Sequence, residues 1–310
     1  MTTAPSYYSP DQIGQVYRPD TAKAMEIGRQ AGWRPALRDS QKIALLIVDA
    51  QVDFVHKDGA LAVPGSIEDM KRLVELIYRE GHRITTNVLT VDTHSPFMIF
   101  FSSWWVDEQG QQPGPFTIIT EEEVKNGVWR AVVMPAWSHA YPTKLAAKGK
   151  KQLMIWSYHC MDMTEGINVI PPLVEAVFYH AAARHSQPIV VHKGHIPQTE
   201  FYSPLCPEVE VTNVPGGTIN TPILNILAEN DEIWVAGEAK SHCVLEGVRT
   251  LVDYFSQNQP EVLKRIFFLM DCTSSVFHPA VDFEAEANTA LKQMASDYGI
   301  QLIESTDLYT

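Results

Sequence analysis

The sequence predicts a doubly wound three-layer α/β/α fold of Rossmann-like architecture, with a mostly parallel sheet of six strands or slightly more. Three observations carry this expectation. Apolar runs of strand length recur from Lys42 onward: IALLIVDA (43–50), RITTNVLTV (83–91), QLMIWSY (152–158), PIVVH (188–192), EIWVAG (232–237), RIFFLMD (265–271) and IQLIES (300–305). Such near-continuous runs mark strands buried on both faces, as in a parallel sheet. Helical patterns lie between them, which is the βαβ alternation of a doubly wound fold. Finally, 310 residues with 45% apolar content supply side chains for a large core.

In chain order, the first 41 residues are rich in Pro, Tyr and polar residues and form an N-terminal extension to a domain spanning 42–310. After the first two strand runs come different kinds of connection. In SIEDMKRLVELIYREG, Ile67, Met70, Leu73, Val74 and Ile77 form one helical stripe; Ser66 is the expected N-cap, with Asp69 three residues on, and Gly81 is the stop. From Ser95 to about Lys150 the chain departs from the repeat and becomes an aromatic-rich insertion. Its Phe97, Phe100, Phe101, Trp104 and Trp105 call for a packing partner, either the mouth of a site or a second subunit. Past EIWVAG, a stripe of Val244, Val248, Leu251, Val252 and Phe255 marks a helix beginning near Cys243. The last helix runs from near Pro279 to Gly299, with Leu291, Met294 and Tyr298 on one face.

Charge and cysteine usage exclude several classes. A net charge of −13 without a Lys/Arg run argues against a nucleic-acid partner. No apolar run is long enough to span a membrane, and the first residues lack the charged start and apolar stretch of a secretory signal, so a cytoplasmic location is expected. Cys160, Cys206, Cys243 and Cys272 are few and irregularly spaced, as for reduced thiols.

Doubly wound sheets place their sites at the carboxyl ends of strands. Asp49 ends the first run, Asp92 and His94 the second, His159 follows the third, Lys193 follows PIVVH, and Cys243 lies just past EIWVAG. The first βα turn, DAQVDFVHKDGALAVPGS, lacks the glycine fingerprint of a dinucleotide site. A thiol at a helix start beside a cation is lowered from its usual pKa of roughly 8.5 and becomes nucleophilic. Lys193 would supply that cation, Asp49 would accept and return a proton, and backbone N–H groups at the helix start would serve as oxyanion donors. Taken singly, each has a blander reading: Cys243 a small buried residue, Asp49 a turn or N-cap aspartate, Lys193 a solvated lysine. Asp92, His94 and His159 form a divalent-metal set with positions left for water or substrate, against the alternative of an ordinary polar turn.

The ordered set ALLIVDAQVDF (44–54), ALAVPGS (60–66), VDTH (91–94), IWSYHC (155–160), VVHKG (190–194), VAGEAKSHCV (235–244) and FLMDCTSSV (268–276) resembles the isochorismatase-like cysteine hydrolases, and among them most the nicotinamidases. The resemblance spans most of 42–305 and implies Cys243 as nucleophile, Asp49 as proton-transfer carboxylate and Lys193 as third member of the triad. It implies a metal on Asp92, His94 and His159, zinc first with manganese or iron as alternatives, and Phe54 and Trp156 as walls of the substrate pocket. It also implies a cis peptide between Glu238 and Ala239, with the N–H groups of Ala239 and Cys243 as the oxyanion hole. Two departures stand out: the long gap between His94 and His159, and the absence of a further histidine in 95–105. The expected activity is hydrolysis of a small amide, nicotinamide to nicotinate and ammonia, by a self-associating enzyme. The alternatives are a metal-independent hydrolase of another small amide, imide or carbamate, and a non-catalytic binding module.

Overall fold

The computed structural model describes residues 4–149 and 151–309; the first three residues of the expected extension and Lys150, at the expected end of the insertion, lie outside it. The N-terminal half comprises α1 (Thr21–Gln30), β1 (Ile43–Val48), a single turn α2 (Val52–Val55), α3 (Ser66–Glu80) and β2 (Thr86–Asp92). The insertion then adds short pieces: β3 (Trp105–Val106), β4 (Ile118–Ile119), α4 (Glu121–Lys125), β5 (Arg130–Ala131), α5 (Pro135–Ala147) and β6 (Leu153–Met154). The second half returns to the repeat with α6 (Pro171–Arg184), β7 (Ile189–Lys193), α7 (Thr221–Ala228), β8 (Glu232–Gly237), α8 (Leu245–Asn258), β9 (Ile266–Leu269), α9 (Phe283–Tyr298) and β10 (Gln301–Ile303).

Six strands form one wholly parallel sheet in the order β10-β9-β8-β1-β2-β7. Burial explains why β1 reads as an unbroken apolar run. Ile43, Leu45 and Ile47 join the core under α3 and α6, while Ala44, Leu46 and Val48 join the core under α7, α8 and α9. The three-layer expectation therefore holds. After β1 the chain winds outward through β2 and β7, then returns to β8 on the other side of β1. The β1/β8 boundary is thus the switch point, where the carboxyl ends of the strands open a crevice.

Three expectations need correction. The run 152–158 is not a strand of the main sheet: only Leu153–Met154 is extended, and it pairs antiparallel with β4. Its apolar residues fill a separate core of insertion aromatics, so the hydrophobic run had another destination. Ser66 is the first helical residue rather than the cap: Gly65, at φ 98°, holds that position, and Asp69 turns to Arg72 instead of back to residue 66. At the far end, α9 starts after Asp282, whose carboxylate accepts from Ala285 N, and although Leu291 and Met294 are buried, Tyr298 is 39% exposed.

The chain before β1 is fastened to the domain, with α1 packed on α6 and Tyr7 and Tyr8 against Tyr78. Phe100, Phe101, Trp104 and Trp105 are buried within the chain itself, leaving Phe97 as the exposed ring of that group. Among the described residues no helix is long and apolar enough to cross a membrane.

Candidate active site

Four strand ends deliver four chemically active side chains to one point. Lys193 closes β7, and its ammonium lies 2.9 Å from Asp49 Oδ2, 3.0 Å from Asp92 Oδ1 and 3.6 Å from Cys243 Sγ, while donating to Phe201 O at 2.8 Å. Both carboxylates and the ammonium are buried, and burial at this cost is tolerated only when charges are paired. Asp49, with φ 45°, turns sharply out of β1; its N–H donates to Thr90 Oγ1, and that hydroxyl donates back to Asp49 Oδ1 at 2.6 Å. Gln51 fixes the end of β2 by accepting from Asp92 N at 2.7 Å and donating to Asp92 O at 2.8 Å.

Asp92, His94 and His159 offer ligand atoms that all lie within 4.8 Å of one another. His94 Nδ1 is held by Gly194 O at 3.0 Å and His159 Nδ1 by Ser157 O at 2.8 Å. A ring nitrogen bonded to a carbonyl carries the proton, so each Nε2 is left as a lone-pair donor, and both lie near Asp92 Oδ2, at 3.0 and 3.8 Å. Burial and the neighbouring His94 hold His159 down at about 4, so it is neutral at pH 7 as a ligand must be. This donor set fits a divalent metal. Gly194, at φ 77°, has to be glycine here, because a Cβ would sit 2.3 Å from Asp92 Oδ1 and 2.6 Å from His94 Cε1.

Cys243 lies in a single π-turn, Lys240–Val244, that feeds α8. The peptide Glu238–Ala239 before it is cis, at the expected position. His242 N and Val244 N both return to Ala239 O, which fixes the turn carrying the thiol. Gly237, at φ 119°, lets this turn approach β1; a Cβ there would meet Val48 O at 2.0 Å.

The thiol opens onto a cleft enclosing about 470 Å³ of unfilled space including its mouth. Phe54 and Trp156 line it together with Asp92, His94, His159, Ala239 and Cys243; Lys193, with Asp49 beside it, touches the thiol from outside that lining. Leu61, Phe100, Glu200, Phe201, Tyr202, His242 and Val276 complete the lining; of these only Phe100 was singled out from the sequence, as one of the insertion rings that could pack at the mouth of a site. Glu200 and Tyr202 sit in a loop seven and nine residues beyond Lys193, past any strand end. Tyr202 donates to Glu200 Oε1 at 2.8 Å and accepts from Trp156 Nε1 at 3.1 Å. The insertion also reaches the site: Phe100 and Phe101 stand edge-on to His94, with ring centroids 4.9 and 5.6 Å away.

Electrostatics modify one expectation. Burial pushes the Cys243 thiol well up, and Asp49 and Asp92 add to this, outweighing the lowering by Lys193. The thiol therefore needs a base at the moment of reaction rather than resting as a thiolate. Asp49 suits that task, because burial and Asp92 raise it against the pull of Lys193, toward a carboxylate that can take up a proton. Asp92 is held in the opposite direction: His94, Lys193 and His159 overcome its burial and keep it ionised.

No family model matches the chain. A nicotinamidase of Saccharomyces cerevisiae is 23% identical over 237 residues, covering 72% of this chain and 92% of that protein. Among solved structures, the yeast nicotinamidase bound to the inhibitor nicotinaldehyde matches with a TM-score of 0.57 at 17% identity, over 84% of this chain and 99% of that one. A nicotinamidase/pyrazinamidase from Acinetobacter matches at 0.55 and 18%, over 87% and 100%. These likenesses show the three-layer fold.

Proposed function

We propose that this chain, belonging to the isochorismatase-like cysteine hydrolases and lying close to the nicotinamidases, is a cysteine-dependent amidohydrolase that converts nicotinamide to nicotinate and ammonia. The observation that carries this reading is the meeting of Asp49, Asp92 and Cys243 around the single ammonium of Lys193, beneath a cleft lined by Phe54 and Trp156. In this reading residues 42–310 are the hydrolase domain, and 95–150 an insertion that builds part of its pocket wall. No disulfide joins the described cysteines, which supports a reducing, cytoplasmic setting.

The amide carbonyl sits with its oxygen toward the N–H groups of Ala239 and Cys243. Asp49 takes the Cys243 proton, and the thiolate adds to the carbonyl carbon, giving a tetrahedral oxyanion that the two N–H groups hold. Lys193 keeps both carboxylates in place and offsets negative charge beside the sulfur. When the intermediate collapses, the C–N bond breaks and Asp49 returns the proton to the departing nitrogen, so ammonia leaves a thioester behind. Water then adds to the thioester, giving its proton to Asp49; the C–S bond breaks, and that proton restores the thiol as the acid departs. Phe54 and Trp156 flank the substrate ring. Asp92, His94 and His159 would hold a divalent metal, zinc before manganese or iron, which as a Lewis acid supplies a site for the ring nitrogen.

Ammonia release from nicotinamide by the wild-type protein, abolished in Cys243→Ala, is the expected result. Turnover of another primary amide or a carbamate with none of nicotinamide would remove the substrate and keep the chemistry. No turnover together with a Cys243 inert to alkylation would overturn the reading.

A further inference from the structure

Glu238, the residue just before the cis peptide, has no part in the steps above, yet its side chain is completely buried. Beside it is Asp69 of α3, also buried. Asp69 Oδ1 accepts from Arg72 Nη2 at 2.9 Å, and Glu238 Oε2 accepts from Ser274 N at 3.3 Å. The other oxygen of each, Asp69 Oδ2 and Glu238 Oε1, is buried without an aligned donor, and the Ser274 hydroxyl lies against Asp69. Two carboxyl oxygens left over in this way are satisfied together by a single proton between them, and two bare carboxylates at this depth would repel.

We infer that Asp69 and Glu238 share one proton, and that this bond is a positioning device for the Ala239 N–H of the oxyanion hole. Its mechanical connection is short. Glu238 N donates to Val48 O, Lys240 N to Ser274 O, and Val276 N to Ser241 Oγ, so the end of β1, the 238–241 turn and the 274–276 segment form one stack, which α3 meets through Asp69 beside Ser274 and Glu238. The carboxyl pair is the side-chain link across that stack. It lies on the face of the turn away from the substrate cleft, whose lining includes Ala239 and Val276 but neither Glu238 nor Asp69.

The charges facing the pair are few. From α3 there is Arg72, which also contacts Asp271 at 3.8 Å; from the turn itself there is Lys240, whose ammonium is taken by Glu284 of α9 at 2.5 Å. Burial and the adjacent Asp69 push Glu238 well above the usual carboxylate range, which places the shared proton on Glu238. At neutral pH the proton is in place. As pH rises and it is lost, the two carboxylates repel, the stack loosens and the oxyanion donor moves.

The inference rests on the hydrolase reading, so its test has an arm that needs no substrate. The wild-type-minus-Glu238→Gln infrared difference at mildly alkaline pH should contain a protonated-carboxyl band, the Glu200 carboxyl being common to both proteins. The amide of E238Q donates to Asp69 without titrating, so kcat at neutral pH should stay within about twofold while the alkaline fall in kcat moves up or disappears. Glu238→Ala should lower kcat by about tenfold or more with KM little changed, the mark of a donor misplaced in the transition state. Asp69→Asn, with the donor on the other side, should reproduce E238Q. An E238Q profile superimposable on wild type, or no difference in the infrared band, would overturn the inference. A band that behaves as expected in a protein that turns over no amide would sink the hydrolase reading and leave the shared proton standing.

Discussion

The parallel sheet and the insertion between β2 and α6 solve the same problem, burying apolar surface, in different ways. The sheet does so by repetition: long apolar strands, each capped at its carboxyl end by a polar residue aimed at one crevice, so that Asp49, Asp92, Lys193 and Cys243 arrive from four different strand ends. The insertion has strands of only two residues and builds its core from rings, with Trp104, Trp105, Phe101 and Tyr141 wholly buried. Chemistry is placed by the regular part and enclosure by the irregular part. Errors should therefore have different consequences in the two regions.

The largest effect is expected at the sheet edge. Lys193→Met removes the charge that compensates two buried carboxylates, so ammonia release should fall on the order of a thousandfold or more, and stability should drop by about 3–5 kcal/mol. Assays of amide turnover and denaturant unfolding on the same preparation measure both. A stable, active variant would mean that Lys193 is not the hub of the site.

Next comes the seam between the regions, where His159 follows the insertion but points at Asp92 from the sheet. His159→Ala should weaken binding of a divalent metal by more than about a hundredfold, read by elemental analysis and competition with a chelator, while the far-ultraviolet spectrum is unchanged. Equal metal content in wild type and variant would remove the assignment of His159.

Within the insertion the expected effect is smaller and more local. Phe101→Ala leaves a void beside His94 and Tyr158 and should cost about 3–5 kcal/mol. Because the insertion has its own core, that loss should open residues 95–150 to amide exchange and raise KM, with the strands of the sheet still protected. Uniform loss of protection across β1 and β8 would mean that the two cores melt as one and that the contrast drawn here is false.

The same contrast explains what could be read in the sequence. β1, β2, β8 and β9 were legible because a strand buried on both faces has no choice but to be apolar, and the residue after such a run is placed by the fold; β7 and β10, half-exposed at the two edges of the sheet, were legible as short apolar runs following helical segments. Phe54 and Trp156 came only through resemblance, since nothing local marks an aromatic as a wall rather than as core. QLMIWSY misled because an apolar run records burial and not which core it enters. Glu200, Tyr202 and His242 were invisible for a related reason: they reach the cleft through loops and a π-turn, whose course depends on tertiary contacts rather than on period. Asp69 looked like a helix-capping residue because its spacing from Ser66 fits that pattern equally well.

The smallest expected effect tests whether the two regions are coupled by charge. Glu200 follows β7, and its carboxyl accepts from Tyr202 beside it and, at 3.3 Å, from Tyr141 of α5 in the insertion. Burial pushes it up to about 8 from an ordinary 4.5; the two tyrosine hydroxyls oppose this and Glu208 adds to it. The folded protein thus holds a proton that the unfolded chain has released. A raised folded-state value means that the stability contribution is complete below about 4.5 and is lost as pH climbs toward about 8. In Glu200→Gln the amide oxygen still accepts from both tyrosines, but nothing titrates. The melting temperature of the variant relative to wild type should therefore rise across that window, by a few degrees on the order expected for a chain of this size, and then level off. A difference that does not change with pH would show that Glu200 joins sheet and insertion through its shape alone.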